Sequence, residues 1–337
     1  MIKGLAITPP VIGRISIGHL VEKNGKYLPE KDDCFTLTTQ VQGKEGWLLH
    51  PLHQVLVENS PNNKIRAIAI KLLFNDSDLN LRAEFSAFDR QTGRPLCVGD
   101  GETAKRVTNL RSTGGASTGN AGEGTEELSC PGPERCLFGK EKGCKLYGRL
   151  NVQVDGQQDE LGSFMFRTTG YNSVRTLAAR LAYFHAVSNG LSRFLPLQLK
   201  LRAKSTTQSY RAPVYYVDLT LRDDDSLVNA VAKAHAEAQQ FAEAGINIAQ
   251  LEHTARQLLA NGQFEDSSEE LPQVLAEFYP EPEIEGASAS AQTQPAVVTP
   301  KPANPKATPP VVRSSPITDR LGPSTAGENS HEPILNH

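Results

Sequence analysis

Of 337 residues, 38% are hydrophobic, enough for a real core but low for a wholly globular chain, so part of it is expected to remain outside any folded domain. No run approaches the roughly 20 apolar residues of a membrane helix, and the expectation is a soluble cytoplasmic protein with no membrane partner. The net charge of −3 hides an asymmetry: residues 1–225 carry 29 Lys+Arg against 24 Asp+Glu, and residues 226–337 carry 6 against 14, so only the first part suits nucleic acid and the second would be repelled by it.

The chain starts without a secretory signal, and five cysteines is an odd count, so disulfides are not expected. Most of the first 225 residues read as strands. Lys64 to Phe74 alternates before shifting register, Asn75 to Asp78 is a turn cluster, and Leu81 to Phe88 alternates again, which predicts a hairpin. Residues 112–126, with five glycines, read as a mobile loop.

Cys130, Cys136 and Cys144 follow in a C-x5-C-x7-C cluster, with Pro131, Gly132 and Pro133 turning the chain back between the first two. Soft thiolates in such a loop suit a structural zinc ion, which prefers four ligands in a closed tetrahedron. The loop spans 97–144, because Cys97, followed by the Gly99 to Gly101 turn, is read as the fourth ligand. His50, His53 and Cys34 are weaker candidates for that place. The competing reading is five reduced thiols, with Cys34 and Cys97 acting as small hydrophobes.

Further short strands are expected at Arg149 to Val154, Gly162 to Arg167, Leu197 to Ala203 and Pro213 to Leu221. One helix crosses between them, capped by Ser173, with Val174, Leu177, Ala178, Leu181 and Phe184 as its buried stripe and Asn189 and Gly190 closing it. Two polar strips flank these elements. Arg167 to Ser173, including Tyr171 and Asn172, enters the helix, and Lys204 to Arg211, including Tyr210, joins two strands. Hydroxyls, amides and guanidinium groups at such places hold phosphate oxygens, and tyrosines stack on bases. Lys200, Arg202 and Lys204 alternate along one strand and share a face. Caps and turns use the same residue types, so a solvated cap and a hairpin loop stand as the alternative.

After Asp223 to Ser226, which supplies a helix cap, Leu227, Val231, Ala234, Ala238 and Phe241 recur at helical spacing; Gly245 interrupts, and Ile246 to Leu259 resumes. These read as a helical appendage over 226–262, followed by a linker at 263–280. From 281 to 337 there are ten prolines and no aromatic residue, which reads as a disordered tail. Its one apolar patch is Ser315 to Gly322, with Ile317 and Leu321 four apart. The fold class expected is α+β: a mainly antiparallel β core, a curved sheet or barrel, with one crossing helix, a zinc-binding cysteine loop, a C-terminal helical pair and the tail.

The motifs of metalloproteases, α/β-hydrolases and Walker-type nucleotide binders are missing, and His185 and His235 lie within helical stretches. The cysteine string Cys130 to Cys136, then Cys144 to Leu150, Phe166 to Arg175 and Lys204 to Ser209, resembles a family carried by phages, plasmids and integrative elements. Its members are labelled recombination directionality factor-like, or "hydrolase or metal-binding protein". The likeness covers roughly residues 1–225. It implies a non-catalytic regulator of DNA recombination that binds a serine integrase on its attachment DNA, with the cysteines as metal ligands and Arg175 within the matching strip. A single-stranded DNA-binding replication accessory protein and a metal-dependent hydrolase are the alternatives.

Overall fold

The computed structural model describes residues 10–23, 26–43, 46–109, 123–205, 207, 213–259 and 275. In chain order these form β1 (Val11–Lys23), β2 (Lys26–Gly43), β3 (Gly46–Leu49), α1 (Pro51–Glu58), β4 (Ala67–Leu72), α2 (Ser77–Asn80), β5 (Leu81–Phe88), β6 (Pro95–Gly99) and β7 (Thr103–Asn109). They continue as β8 (Glu123–Ser129), α3 (Leu137–Lys142), β9 (Lys145–Val154), β10 (Ser163–Thr168), α4 (Tyr171–Val187), β11 (Leu197–Ser205), β12 (Pro213–Leu221), α5 (Leu227–Glu243) and α6 (Ile248–Leu259). Met1–Pro282 forms one compact unit, and a second unit, Glu283–His337, lies outside the described residues together with the patch Ser315 to Gly322. Among the described residues no helix is long and apolar enough to cross a membrane.

The twelve strands form one mixed sheet whose main path runs β3-β2-β1-β10-β9-β5-β6-β7-β8 without closing. Of the two forms expected, a curved sheet or a barrel, closure into a barrel is not found, and six α-helices, not three, accompany the sheet among the described residues. The sheet is mainly antiparallel, as expected, with one parallel pair. β1 lies parallel to β10, with Arg14 opposite Met165 and Ile15 opposite Phe166. Alternation along a strand reports which residues share a face but not which distant strand is its neighbour, so this pairing has no local signal.

The sheet forks at β9. Residues Lys145 to Leu150 pair with β5, and Val152 to Val154 pair with β4, which leads on to β11 and β12. This corrects the predicted hairpin of residues 64–74 with 81–88: β4 and β5 both pair with β9. The cause is the segment between them. Asn80 is fully buried; its Oδ1 accepts from the Leu73 and Phe74 N–H groups, each at 3.1 Å, and its Nδ2 donates to the Phe74 and Asp76 carbonyls at 2.7 and 2.8 Å. Those four bonds hold the backbone in a compact bend that sends β5 to a different stretch of β9.

The core lies on one face of the fork. Ile68 and Ile70 of β4, Leu150 and Val152 of β9, Phe164 and Phe166 of β10, and Leu197 and Leu199 of β11 meet Leu177, Leu181 and Phe184 of α4. Helix α4 enters where β9 has a glycine: a Cβ on Gly148 would stand 2.7 Å from Val174 Cγ2, so only glycine admits the helix this closely. Ser173 is not its cap, a place taken by Gly170. Its hydroxyl instead accepts from the Val217 N–H of β12 at 3.1 Å. Among the described strands β12 pairs only with β11, and that bond satisfies a donor on the edge of the described sheet. Ala178, expected in the stripe, is exposed.

Ser226 caps α5 as predicted, accepting from the Asn229 N–H. The helix is no appendage. Ala230 and Ala234 are fully buried, and Val231, Ala238 and Phe241 pack on the same core, with the Phe241 ring edge-on to Phe194 at 5.2 Å.

Candidate functional site

Two assemblies of polar groups stand apart from the core. The first gathers cysteines from three elements. Cys97 sits on β6, Cys130 follows β8, and Cys136 and Cys144 bracket α3. Cys136 Sγ accepts from the Gly139 N–H at 3.3 Å and so caps α3, while Gly143 closes it in the left-handed conformation at φ 69°. The positive φ of Gly132, 82°, allows the Cys136 N–H to reach the Gly132 carbonyl at 3.0 Å, which is the turn the prolines announced. Close approach needs two other glycines. A Cβ on Gly99 would lie 2.7 Å from Cys130 Sγ, and one on Gly139 would lie 3.2 Å from the Cβ atoms of both Cys136 and Cys144.

Proximity shows in the titration of these thiols. Burial, then the neighbouring Cys97, Cys130 and Cys136, push Cys144 up to about 12. Burial also raises Cys97, against the pull of a hydrogen bond from Arg106. Arg106, on β7, donates from Nη2 to Cys136 Sγ at 3.8 Å and lies over the Phe138 ring at 4.0 Å. None of the four cysteines is disulfide-bonded. Among the described residues no group of three or more His, Cys, Asp or Glu side chains is disposed to hold a metal ion. The thiols are neighbours that disturb one another's ionisation, short of a coordination sphere. Thiols are the donor type that a structural zinc ion takes, and Arg106 is placed to donate to the sulfurs.

His50 and His53 are occupied elsewhere. His50 Nδ1 accepts from the Leu52 N–H at 3.2 Å and caps α1, and His53 Nδ1 accepts from the Leu37 N–H at 3.3 Å. Burial lowers the pKa of both. Cys34 lies on β2.

The second assembly is an open cleft of about 510 Å³ between α4 and the β11–β12 ribbon, lined by Asn172, Arg175, Thr176, Arg180, Tyr183, Lys204 and Tyr216. Three of the predicted contact residues, Asn172, Arg175 and Lys204, meet here, with Lys204 Nζ donating to Asn172 Oδ1 at 2.5 Å. Tyr171 stands at the start of α4, 65% exposed. Lys200 is drawn to Asp223 at 2.7 Å, a bond that lowers the Asp223 pKa. Arg202 and Arg180 both grip the buried Asp218, at 2.6 and 3.0 Å. Arg167 projects to the opposite face of the sheet, with its guanidinium nitrogens buried. Tyr210 and Arg211 lie outside the described residues.

Sequence reasoning missed Arg180, Tyr183, Tyr216 and, in the first assembly, Arg106. A signal existed for two of them: Arg175, Thr176, Ala179, Arg180 and Tyr183 recur at helical spacing along one side of α4. Arg106 and Tyr216 had none, because their neighbours come from other strands.

Comparison with known families matches residues 12–222 to the Gp3-like model, described as recombination directionality factor-like. No curated protein and no solved structure matches the chain. Both assemblies fall within the matched residues.

Proposed function

The chain belongs to the recombination directionality factor-like family, and from that premise we propose that it is a non-catalytic accessory protein that acts on a serine integrase or its DNA complex, with the α4 cleft as its DNA contact. The family supports the recombination role. The observation that carries the contact is the cleft itself, whose lining brings the exposed Arg175 together with Lys204 and with Arg180, the last paired with Asp218. Guanidinium and ammonium groups spaced along a groove neutralise successive phosphates and release counterions, which gives affinity without base reading.

In this reading Cys97, Cys130, Cys136 and Cys144 would serve the role by tying β6, the end of β8 and α3 together around a zinc ion. A closed set of four thiolates would leave no open position for a substrate, which favours a structural metal over a catalytic one. The single-stranded alternative has one observation in its favour: Tyr183 is 48% exposed in the cleft and Tyr171 stands exposed at the head of the same helix, so both offer a ring face to an unpaired base.

Fluorescence anisotropy with single- and double-stranded DNA at two salt concentrations tests the proposal. Arg175→Ala with Lys204→Ala is expected to weaken binding and reduce the salt slope by about 2, one for each phosphate that the variant no longer neutralises. Unchanged affinity and slope in that variant would remove DNA from the cleft. Preference for single strands would favour the replication reading, and an integrase assay scored for excision then decides the partner.

A further inference from the structure

A buried carboxylate stands beside the α4 cleft. Asp218, on β12, is 2% exposed, and a carboxylate that far from water persists only against positive charge. Two arginines supply it. Arg180 Nε, from α4, donates to Asp218 Oδ1 at 3.0 Å, and Arg202 Nε, from β11, donates to Oδ2 at 2.6 Å. The fold fixes their convergence. Leu177 and Leu181 seat α4 on the core, and the β11–β12 register sets Lys200 opposite Asp218, so that Arg202 lies diagonally across from the carboxylate on the same face.

Each of these contacts uses only Nε. An arginine has five N–H donors, and the four on its two Nη nitrogens remain on each side chain. Among the described residues neither arginine makes another hydrogen bond or ion pair, and both side chains are 44% exposed. The charges do not balance either. One guanidinium would neutralise Asp218, and the second leaves a surplus of positive charge where both side chains reach solvent. Lys200 and Asp223, which pair with each other within the field of Arg202, leave that surplus unchanged.

We propose that Arg180 and Arg202, aligned by Asp218, form a clamp for one phosphate of the DNA backbone, with Asp218 as its positioning residue. The clamp rests on the reading of the α4 cleft as the DNA contact and names the groups that hold the strand there. A guanidinium binds phosphate through paired N–H groups, and one whose Nε is already fixed loses less side-chain freedom in doing so. Arg175 and Lys204 supply further charge along the same cleft.

Anisotropy with a short DNA duplex sets position against charge. Asp218→Asn keeps the side-chain shape and adds one positive charge, so a diffuse basic surface would bind DNA more tightly; the clamp predicts affinity lower by about tenfold at low salt. Arg180→Lys with Arg202→Lys keeps the charge and can still pair with Asp218, but it removes the forks. Affinity is expected to fall by about tenfold and the salt slope by about 1, for the one phosphate released. Wild-type affinity in this double-lysine variant, or tighter binding by Asp218→Asn, would overturn the clamp. Adding Asp218→Asn to the double-lysine variant is expected to cause no further loss, because nothing is left to position; a second loss of about tenfold would make Asp218 merely structural. If thermal melting shows that Asp218→Asn does not fold, the double-lysine variant decides alone. Absence of DNA binding by the wild type, or unchanged binding in Arg175→Ala with Lys204→Ala, removes the cleft and the clamp with it. A loss in that variant with none in the double-lysine variant removes the clamp alone.

Discussion

Asn80 shows how much a single side chain decides. Its amide engages four backbone groups in the bend between β4 and β5. Asn80→Ala leaves buried N–H and C=O groups without partners, and the expected cost is about 2–4 kcal/mol, read from denaturant unfolding. A change below about 0.5 kcal/mol would mean that the bend is held by other interactions. The histidines act by ionisation. Both Nδ1 atoms accept backbone N–H bonds, so each ring must be neutral, and burial holds both pKa values below 6.5. The unfolded chain then takes up protons first: stability is full above about pH 6.5 and falls as pH drops from there toward the folded pKa. Thermal melts from pH 8 to 5 are expected to show that decline, and His50→Asn with His53→Gln to flatten it. A wild-type profile level across this range would contradict it.

At the scale of elements, α3 and its flanking cysteines form the unit whose integrity the zinc proposal predicts. Cys136→Ser is an informative change, because serine is itself a good N-cap and spares the α3 terminus while removing a thiolate. Expected outcomes are reduced zinc content and a melting temperature lower by roughly 10 °C, the shift that several kcal/mol makes in a domain of this size. If metal content and melting temperature both match the wild type, the ion is not bound there. Helix α4 is the element that joins core to surface. Val174, Leu177, Leu181 and Phe184 bind one side of it to the sheet, while Arg175, Arg180 and Tyr183 face the cleft. Core packing thereby fixes the positions of the cleft groups to within the play of their own side chains.

For the whole molecule, the family match ends at residue 222 but the core does not. Ala230 and Ala234 are fully buried, and Phe241 stacks edge-on against Phe194. A chain truncated after Arg222 uncovers that surface, and the expected result is aggregation on size exclusion or a melting temperature lower by roughly 10 °C or more. Undiminished melting of the truncated chain would restore α5 and α6 to the status of an appendage.

What the sequence determined by itself was local. Alternation located six of the twelve described strands, β4, β5 and β9 to β12, because a half-buried strand must repeat every two residues. Ser226 and Gly190 marked helix ends, because a cap needs a particular side chain or a left-handed backbone. The Pro-Gly-Pro run announced the turn that returns Cys136 toward Cys130. The tertiary structure alone decided the parallel β1–β10 pair, the fork at β9, the use of Ser173 on an open strand edge and the meeting of Arg180 with Asp218. Each of these joins residues far apart in the chain, and the free energy that selects such a pairing resides in the contact itself, where neither partner's neighbours along the chain record it.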